Sequence, residues 1–220
     1  MAAMSRLALP LRTVGTAPGR RHTGNDLTIM DQDPDQPIFA DDPTLSIVAR
    51  YWSSRRRGRP MPTRTDIDPL HLPATVWPHL LLAEPVAGST AIRYRLVGSA
   101  HVERYTFDFT GRLTSEIMQG SYRTYMEEIY ATTLRLGLPV YSESMFRWDA
   151  DGYAFTRRVM LPLQHGSAGM IFSAQVWPGR MSHAQPSITA LSGTGAFRDG
   201  DYVVLDADSF RPRKAQAGTA

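Results

Sequence analysis

The chain contains no cysteine and no apolar run of the roughly 18 residues that a membrane-spanning helix requires. Without cysteine, disulfides, thiolate metal sites, thiol catalysis and photochemistry that bonds a flavin to sulfur are excluded. Without a long apolar run, we expect no membrane span. Hydrophobic residues nevertheless make up 42% of the 220 residues and charged residues 20%, which is typical of one globular domain with extensions.

Lysine is also nearly absent, since Lys214 is the only one. The formal charge of +3 originates in residues 1–29, which hold four arginines and one aspartate. Residues 30–220 balance at 20 basic and 20 acidic side chains. A neutral body lacks the basic face that a general nucleic-acid binder needs, so we expect no nucleic-acid partner.

The ends of the chain differ in composition from its middle. Residues 1–43 are predicted to be a disordered leader, and Met30, which precedes an acidic run, is an alternative natural start. Residues 179–220 are predicted to be a mostly disordered tail in which only residues 202–205 are expected to dock. The segments expected to fold are a flanking helix at 44–61 and a domain at 62–178.

The flanking helix has a clear start signal. Asp42 and Pro43 suit the N-cap and the first helical position, and apolar residues then recur at helical spacing until Gly58. The apolar stripe comprises Leu45, Val48, Tyr51 and Trp52. It is too narrow for an isolated helix to be stable in water, so it must pack on the domain or on a second copy of the chain.

Five strands are predicted in the domain, with the longest helix between the second and the third. Their ranges are 80–86, 91–97, 140–148, 155–163 and 170–177. The long helix is expected to begin at Ser121 and to end at Gly137. Its predicted buried stripe is Tyr122, Tyr125, Met126, Ile129, Thr133 and Leu136. This order of elements indicates an α+β fold with a five-stranded antiparallel sheet and helices grouped on one face.

The alternation of residues in the last strand predicts which face of the sheet is shielded from solvent. Met170, Phe172, Ala174 and Val176 are expected to face a pocket, and the alternate residues Ile171, Ser173, Gln175 and Trp177 are expected to face outward. Exposed Ile171 and Trp177 would need a cover, which the flanking helix supplies from the same chain or from a twin in a dimer. The predicted partner interface is therefore Val48, Tyr51, Trp52, Ile171 and Trp177.

Four short motifs accompany this order of elements. They are Asp66-Ile67-Asp68-Pro69, Trp77-Pro78-His79-Leu80, Arg93-Tyr94-Arg95-Leu96-Val97-Gly98 and Thr110-Gly111-Arg112. Together they resemble a bacterial family of stand-alone PAS domain proteins, over about residues 45–177. The resemblance implies a PAS sheet whose concave face and long helix enclose a small pocket, with an N-terminal helix used for dimerisation.

The function that the resemblance implies is that of a cytoplasmic sensor or adaptor in bacterial signalling, without a catalytic output of its own. Such a protein binds a small ligand, a protein partner or both, and we expect a homodimer, an unidentified signalling protein as partner and a small apolar ligand or none. The family supplies no defined ligand-binding motif. An interaction module without a ligand is the alternative, with its binding surface at Tyr51, Trp52 and Trp177.

The candidate pocket residues are side chains expected to point inward. They are Tyr94, Leu96, Tyr105, Tyr122, Tyr125, Ile129, Phe146 and Phe172. Buried tyrosine hydroxyls need hydrogen-bond partners and are able to orient a polar group of a ligand. In a filled core, the same hydroxyls would instead reach the rim or each other.

No cofactor is assigned, because the sequence has neither a haem nor a flavin signature. His101 is the one histidine placed to ligate haem, although a surface or hydrogen-bonded histidine is the commoner role. Asp66 and Asp68 have the spacing of paired catalytic carboxylates, but Asp68 is better explained as a helix cap before Pro69. A small α+β hydrolase or isomerase is therefore the least favoured function.

Overall fold

One antiparallel sheet forms the middle of the computed structural model, which describes residues 36–147, 153–178 and 197–213. Its strands are β1 Leu80–Pro85, β2 Ile92–Val97, β3 Val140–Arg147, β4 Tyr153–Leu163, β5 Met170–Val176 and β6 Phe197–Val204. Their order across the sheet is β2-β1-β5-β4-β3-β6. The described sheet has six strands rather than the five predicted, because β6 pairs with β3 and begins upstream of residues 202–205. Met30 lies outside the described residues.

Four helices accompany the sheet within the described residues. They are α1 Pro43–Arg56, α2 Ser99–Tyr105, α3 Thr114–Ile117 and α4 Gly120–Leu136. The predicted start of α1 is confirmed, since a carboxylate oxygen of Asp42 accepts a hydrogen bond from the backbone N–H of Leu45 at 3.0 Å. Three short 3₁₀ segments, Arg64–Asp66, Pro69–His71 and Ala74–His79, connect α1 to β1.

The long helix α4 differs from its prediction in two details. It begins at Gly120 with Gln119 as the N-cap, one residue before Ser121. Leu136 at its C-terminal end is 38% exposed, whereas Tyr130 is buried in the stripe that faces the sheet. The predicted end is confirmed, because Gly137 adopts a left-handed φ of 63° directly after the helix.

Both faces of the sheet are covered by helices of the same chain. The face under α2, α3 and α4 forms the helix-side core, whose members include Ile92, Tyr94, Tyr105, Tyr122, Ile129, Met160 and Ile171. The opposite face forms the α1-side core, whose members include Val48, Trp52, Leu82, Val159, Leu161 and Phe172. The helices that follow the first hairpin thus lie on one face as predicted, and the flanking helix α1 closes the other.

The predicted faces of β5 are wrong. Phe172 lies in the α1-side core and Ile171 in the helix-side core, so the set expected to face the pocket faces α1 instead. Every residue of β5 is buried, and polar Ser173 and Gln175 are no exception. Because β5 lies in the middle of the sheet with both faces covered, polar residues in this strand do not mark a solvent-exposed face. They point into a polar part of the helix-side core.

Two of the sequence motifs meet where β2 ends. A Cβ on Gly98 would clash with the backbone carbonyl of Pro78, so only glycine permits this close approach of the two segments. A third motif pairs with β2, because the N–H of Tyr94 donates to the carbonyl of Arg112 at 3.0 Å and the N–H of Gly111 donates to the carbonyl of Tyr94 at 2.7 Å. These motifs therefore fix how the segments before β1 and after β2 pack against the first hairpin of the sheet.

The two aspartates of the first motif have structural roles. The Asp66 carboxylate accepts hydrogen bonds from the hydroxyl of Thr63 at 2.6 Å and from Arg59 at 2.6 Å. The Thr63 hydroxyl, the Thr63 backbone and Arg59 lower the pKa of Asp66 from 3.8 to about 2. Asp68 caps the segment that begins at Pro69, as predicted, by accepting from the N–H of Leu70 at 3.0 Å.

Candidate functional site

A buried polar network lies in the helix-side core and is centred on Arg158 of β4. Its guanidinium donates to Oε1 of Gln175 at 2.7 Å, to the hydroxyl of Ser144 at 2.8 Å and to the hydroxyl of Tyr122 at 3.2 Å. The Arg158 residue is 1% exposed. Its partners lie on β5, β3 and α4, so one side chain joins three neighbouring strands to the long helix.

One tyrosine hydroxyl extends this network towards α2, and two others form a separate pair between α4 and β2. The side-chain amide of Gln175 donates to the hydroxyl of Tyr105 at 3.2 Å, and the hydroxyl of Tyr130 donates to that of Tyr94 at 3.1 Å. The ring of Tyr94 also packs edge-on against Phe109, with 4.9 Å between the ring centroids. The hydroxyls thus bond to each other and to the network, as expected for the filled-core alternative.

The two adjacent arginines of β4 differ in their charge balance. Arg157 points to the α1 side, where its Nη1 lies 2.8 Å from Asp41 and its Nε lies 3.4 Å from Glu143. Arg158 points to the helix side and has only neutral acceptors among the described residues. Burying a cation without an anion is unfavourable by several kcal/mol in ordinary proteins. The network therefore contains a charge that the described residues leave uncompensated.

The tyrosines around Arg158 do not supply the missing negative charge. Burial raises the pKa of Tyr122 and of Tyr94 well above the ordinary value, so both stay protonated at neutral pH. Burial also acts to lower the pKa of Arg158, but the net displacement is upward, because the tyrosinates that form around it at high pH outweigh burial. Arg158 remains a cation inside a neutral polar shell.

A second group of side chains lies at the end of β5, around Trp177. The rings of Trp177 and His101 are 5.0 Å apart, and the guanidinium of Arg104 lies 5.4 Å from the Trp177 ring. His101 is buried, its Nε2 lies 3.2 Å from the carbonyl oxygen of His79, and burial lowers its pKa to about 3. A buried neutral histidine with a backbone partner fits the hydrogen-bonded role weighed against haem ligation.

Two polar atoms of β5 and its end have no hydrogen-bond partner among the described residues. They are the hydroxyl of Ser173 and the indole N–H of Trp177, and both atoms are buried. Ser173, Gln175 and Trp177 share one face of the strand, because alternate residues point the same way. The unpartnered atoms thus flank the residue that holds Arg158.

The structure brings together only some of the predicted pocket residues. Tyr94, Tyr105, Tyr122 and Ile129 lie in the helix-side core, and Tyr125 packs against it with its hydroxyl donating to the backbone of Glu143 and Asp201. Leu96 and Phe172 belong instead to the α1-side core, on the far side of the sheet. The side chain of Phe146 lies outside the described residues.

The residues predicted as a partner interface are buried or partly buried within this one chain. Val48 and Trp52 are fully buried against the sheet and Tyr51 is 8% exposed. Ile171 is buried in the helix-side core and Trp177 packs against the same core. The cover that the sequence required for the sheet is therefore α1 of the same chain, and it protects the face of Phe172 rather than the face of Ile171.

The sequence reasoning missed Arg158, Gln175 and Ser144. A signal was available in the pair Arg157-Arg158, which lies within a strand of otherwise mostly apolar residues. Alternation sends adjacent residues to opposite faces, so a strand covered on both sides must bury both arginines. That inference needs the strand to be central, which the sequence alone did not indicate.

Other features of the described residues lie apart from this network. A surface groove of about 450 Å³ lies between the turn after β1 and the outer side of α4, lined among others by Thr90, Ile92 and Glu127. Among the described residues, no group of three or more histidine, aspartate or glutamate side chains is arranged to hold a metal ion. Asp149 and Asp151 lie outside the described residues.

The four described helices do not meet the requirements of a membrane span. None of them combines the length and the apolar character that crossing a membrane demands. The longest, α4, has 17 residues and carries charged side chains.

Comparison with known proteins identifies the fold. A family model described as PAS domain matches residues 40–171, which covers α1 and the sheet as far as the start of β5. A search of curated proteins found no match. The matched region includes the long helix, Arg158 and all four motifs, and it spans more than half of the chain. The protein belongs to the PAS domain family.

Proposed function

We propose that this protein is a PAS sensor that binds a small ligand in the helix-side core and transmits the bound state to α1 and a protein partner. PAS domains are sensor modules of signalling proteins and are generally non-catalytic. In this chain we assign the ligand site to the helix-side core and the transmission of the signal to α1. The observation that supports it is the buried network of Arg158, Gln175 and Tyr122 between the sheet and α4. A core built only for stability has little need of an unpaired cation.

The contacts on both faces of β4 and β5 suggest how the ligand state would reach α1. Gln175 contacts Arg158 on one face of β5, and Phe172 packs against Tyr51 of α1 on the other, with 6.5 Å between ring centroids. The indole N–H of Trp52 donates to the carbonyl of Pro162 in β4 at 2.8 Å. A ligand that binds better to one arrangement of these strands would shift the docking of α1.

Release of α1 would also create the proposed partner interface. Val48, Tyr51 and Trp52 reach another molecule only when α1 leaves the sheet, since all three are buried while it is docked. We propose that this surface then binds a second copy of the chain or a separate signalling protein. The bacterial origin and cytoplasmic location of this system are part of the same proposal and rest on the family resemblance.

Native mass spectrometry of the full chain, purified from a bacterial host, tests the sensor proposal. The expected result is a discrete small mass on the folded protein, together with a change in the hydrogen–deuterium exchange protection of α1 that follows removal of that mass and is reversed when the mass is added back. Phe172→Ala serves as a matched variant, because it removes a contact with Tyr51 on the α1 side and leaves the helix-side network in place. It should change α1 protection and preserve the bound mass.

An interaction module without a ligand is the second candidate, favoured by the hydrogen bond between Tyr130 and Tyr94 that satisfies both hydroxyls inside the core. Its interface would use apolar side chains that are already accessible, such as Leu70 at 73% and Trp77 at 38% exposure. This function predicts a bare polypeptide mass from every host. It also predicts that Leu70→Ser impairs partner binding without affecting the stability of the fold.

A further inference from the structure

We infer that the ligand of the helix-side core is a small monocarboxylate with an apolar body, and that Arg158 binds its carboxylate group. This inference rests on the proposed function, since it assumes that the core binds a small molecule. It goes beyond that function by assigning the chemical class of the ligand and the residue that selects it.

The charge balance of β4 is the first argument. Arg157 and Arg158 are adjacent and both are largely buried, yet Arg157 has Asp41 and Glu143 as anionic partners and Arg158 has none among the described residues. At Arg157, therefore, the charge of a largely buried arginine is balanced by carboxylates of the same chain. An anion from outside the chain would complete the corresponding pair at Arg158.

The second argument is the number of hydrogen-bond donors of Arg158 that the described residues do not use. A guanidinium has five N–H donors. The described residues accept from one donor on each of the three nitrogens, through Gln175, Ser144 and Tyr122. Two donors remain, one on each terminal nitrogen, and a carboxylate is the group whose two oxygens match that planar pair.

The surroundings of Arg158 limit the size and the charge of the ligand. One cation balances one negative charge, which favours a monocarboxylate over a phosphate or a dicarboxylate. The rest of the helix-side core is aromatic or apolar, with Phe109, Met126 and Ile129 among its members. The remainder of the ligand should therefore be apolar, and the unpartnered groups of Ser173 and Trp177 offer hydrogen bonds to one further polar atom.

Paired acids and amides test this inference on the full chain without any substitution. The probes are the straight-chain acids from acetate to decanoate and phenylacetate, each compared with its primary amide by isothermal titration calorimetry and thermal shift. An amide has nearly the shape of the acid but no charge, so we expect at least one acid to bind roughly 100-fold more tightly than its amide. Equal affinity of acid and amide, or no binding by any acid in the series, would overturn the inference.

Two substitutions identify the residue responsible. Arg158→Gln removes the charge and should weaken acid binding roughly 100-fold, and amide binding much less, because the amide loses only a neutral acceptor's hydrogen bond. Arg50→Gln removes one positive charge from the exposed surface of α1 and should leave acid binding at the wild-type value. Retained acid binding in Arg158→Gln would overturn the assignment. If Arg158→Gln fails to fold, Tyr122→Phe takes its place, since it removes one partner of the guanidinium and should weaken acid binding more than amide binding.

The outcomes also separate this inference from the proposed function. A neutral small mass that wild-type protein and Arg158→Gln retain equally would leave the sensor function in place and overturn the carboxylate. An acidic mass that only the wild-type protein retains would support both. A protein that retains no small mass and binds no probe would overturn both.

Discussion

Replacing Trp52 by alanine should lower the free energy of unfolding by about 3 to 5 kcal/mol, the usual loss for a large aromatic residue in a core. The side chain has no exposed surface, and its ring lies 6.3 Å from that of Phe210. Its indole N–H also donates to the carbonyl of Pro162 at 2.8 Å. We expect the upper half of the range, because the substitution leaves both a cavity and a buried carbonyl without its donor.

The assay is urea unfolding followed by far-ultraviolet circular dichroism, because tryptophan fluorescence itself changes with the substitution. The expected loss corresponds to a decrease in Tm of about 6 to 20 °C for a domain of this size. Trp77→Ala is the matched control, since Trp77 is 38% exposed and should cost about 1 kcal/mol. The comparison separates burial of Trp52 from any general effect of losing a tryptophan.

Equal and small losses for Trp52→Ala and Trp77→Ala would refute the docking of α1 on the sheet. Trp52 would then be available to a partner, as the sequence alone predicted. A large loss accompanied by an unfolding midpoint that rises with protein concentration would instead indicate that α1 docks on the sheet of a second copy of the chain. Docking within one chain requires a large loss and a midpoint that is independent of concentration.

Two further predictions concern the close backbone contact at Gly98 and the buried ring of His101. Gly98→Ala should destabilise the fold by about 3 kcal/mol or more, because its Cβ meets the backbone of Pro78; Gly88→Ala, with nothing within 4 Å, should cost about 1 kcal/mol through its φ of 73°. Equal losses would refute the clash. Between pH 6.5 and about 3 the unfolded chain protonates His101 and the folded chain does not, so stability should fall with falling pH, by up to about 1.4 kcal/mol per pH unit. His101→Gln should remove that part of the slope in urea titrations, and an unchanged slope would contradict the buried neutral ring.

The order of elements was predictable because its signals are local. Asp42 and Pro43 mark the start of α1, and Gly137 marks the end of α4, through caps that depend only on nearby backbone groups. The motifs around Gly98 and Gly111 also appear in the sequence as fixed patterns, since the close backbone contacts they make permit few alternatives. The order of the elements follows from such local rules applied along the chain.

The sixth strand and the burial of α1 were harder to predict, because both depend on contacts between distant parts of the chain. β6 pairs with β3 across more than 50 residues, and its sequence Phe197–Val204 contains Gly200 and two aspartates, which weaken the strand signal. Trp52 of α1 contacts Pro162 of β4 across 110 residues. Composition and periodicity establish that such surfaces need a cover but not which segment provides it.

The faces of β5 are the most informative error. Alternation correctly separated Phe172 from Gln175, and the rule that polar residues face solvent then assigned each set to the wrong side. That rule fails only where a sheet face is both buried and polar, a combination that costs stability unless each group finds a partner. In this fold the groups on that face are Gln175, the unpartnered hydroxyl of Ser173 and the uncompensated cation of Arg158. Natural sequences break local rules mainly where function requires it, so the face that the sequence misassigned is also the face to which we assign the proposed ligand site.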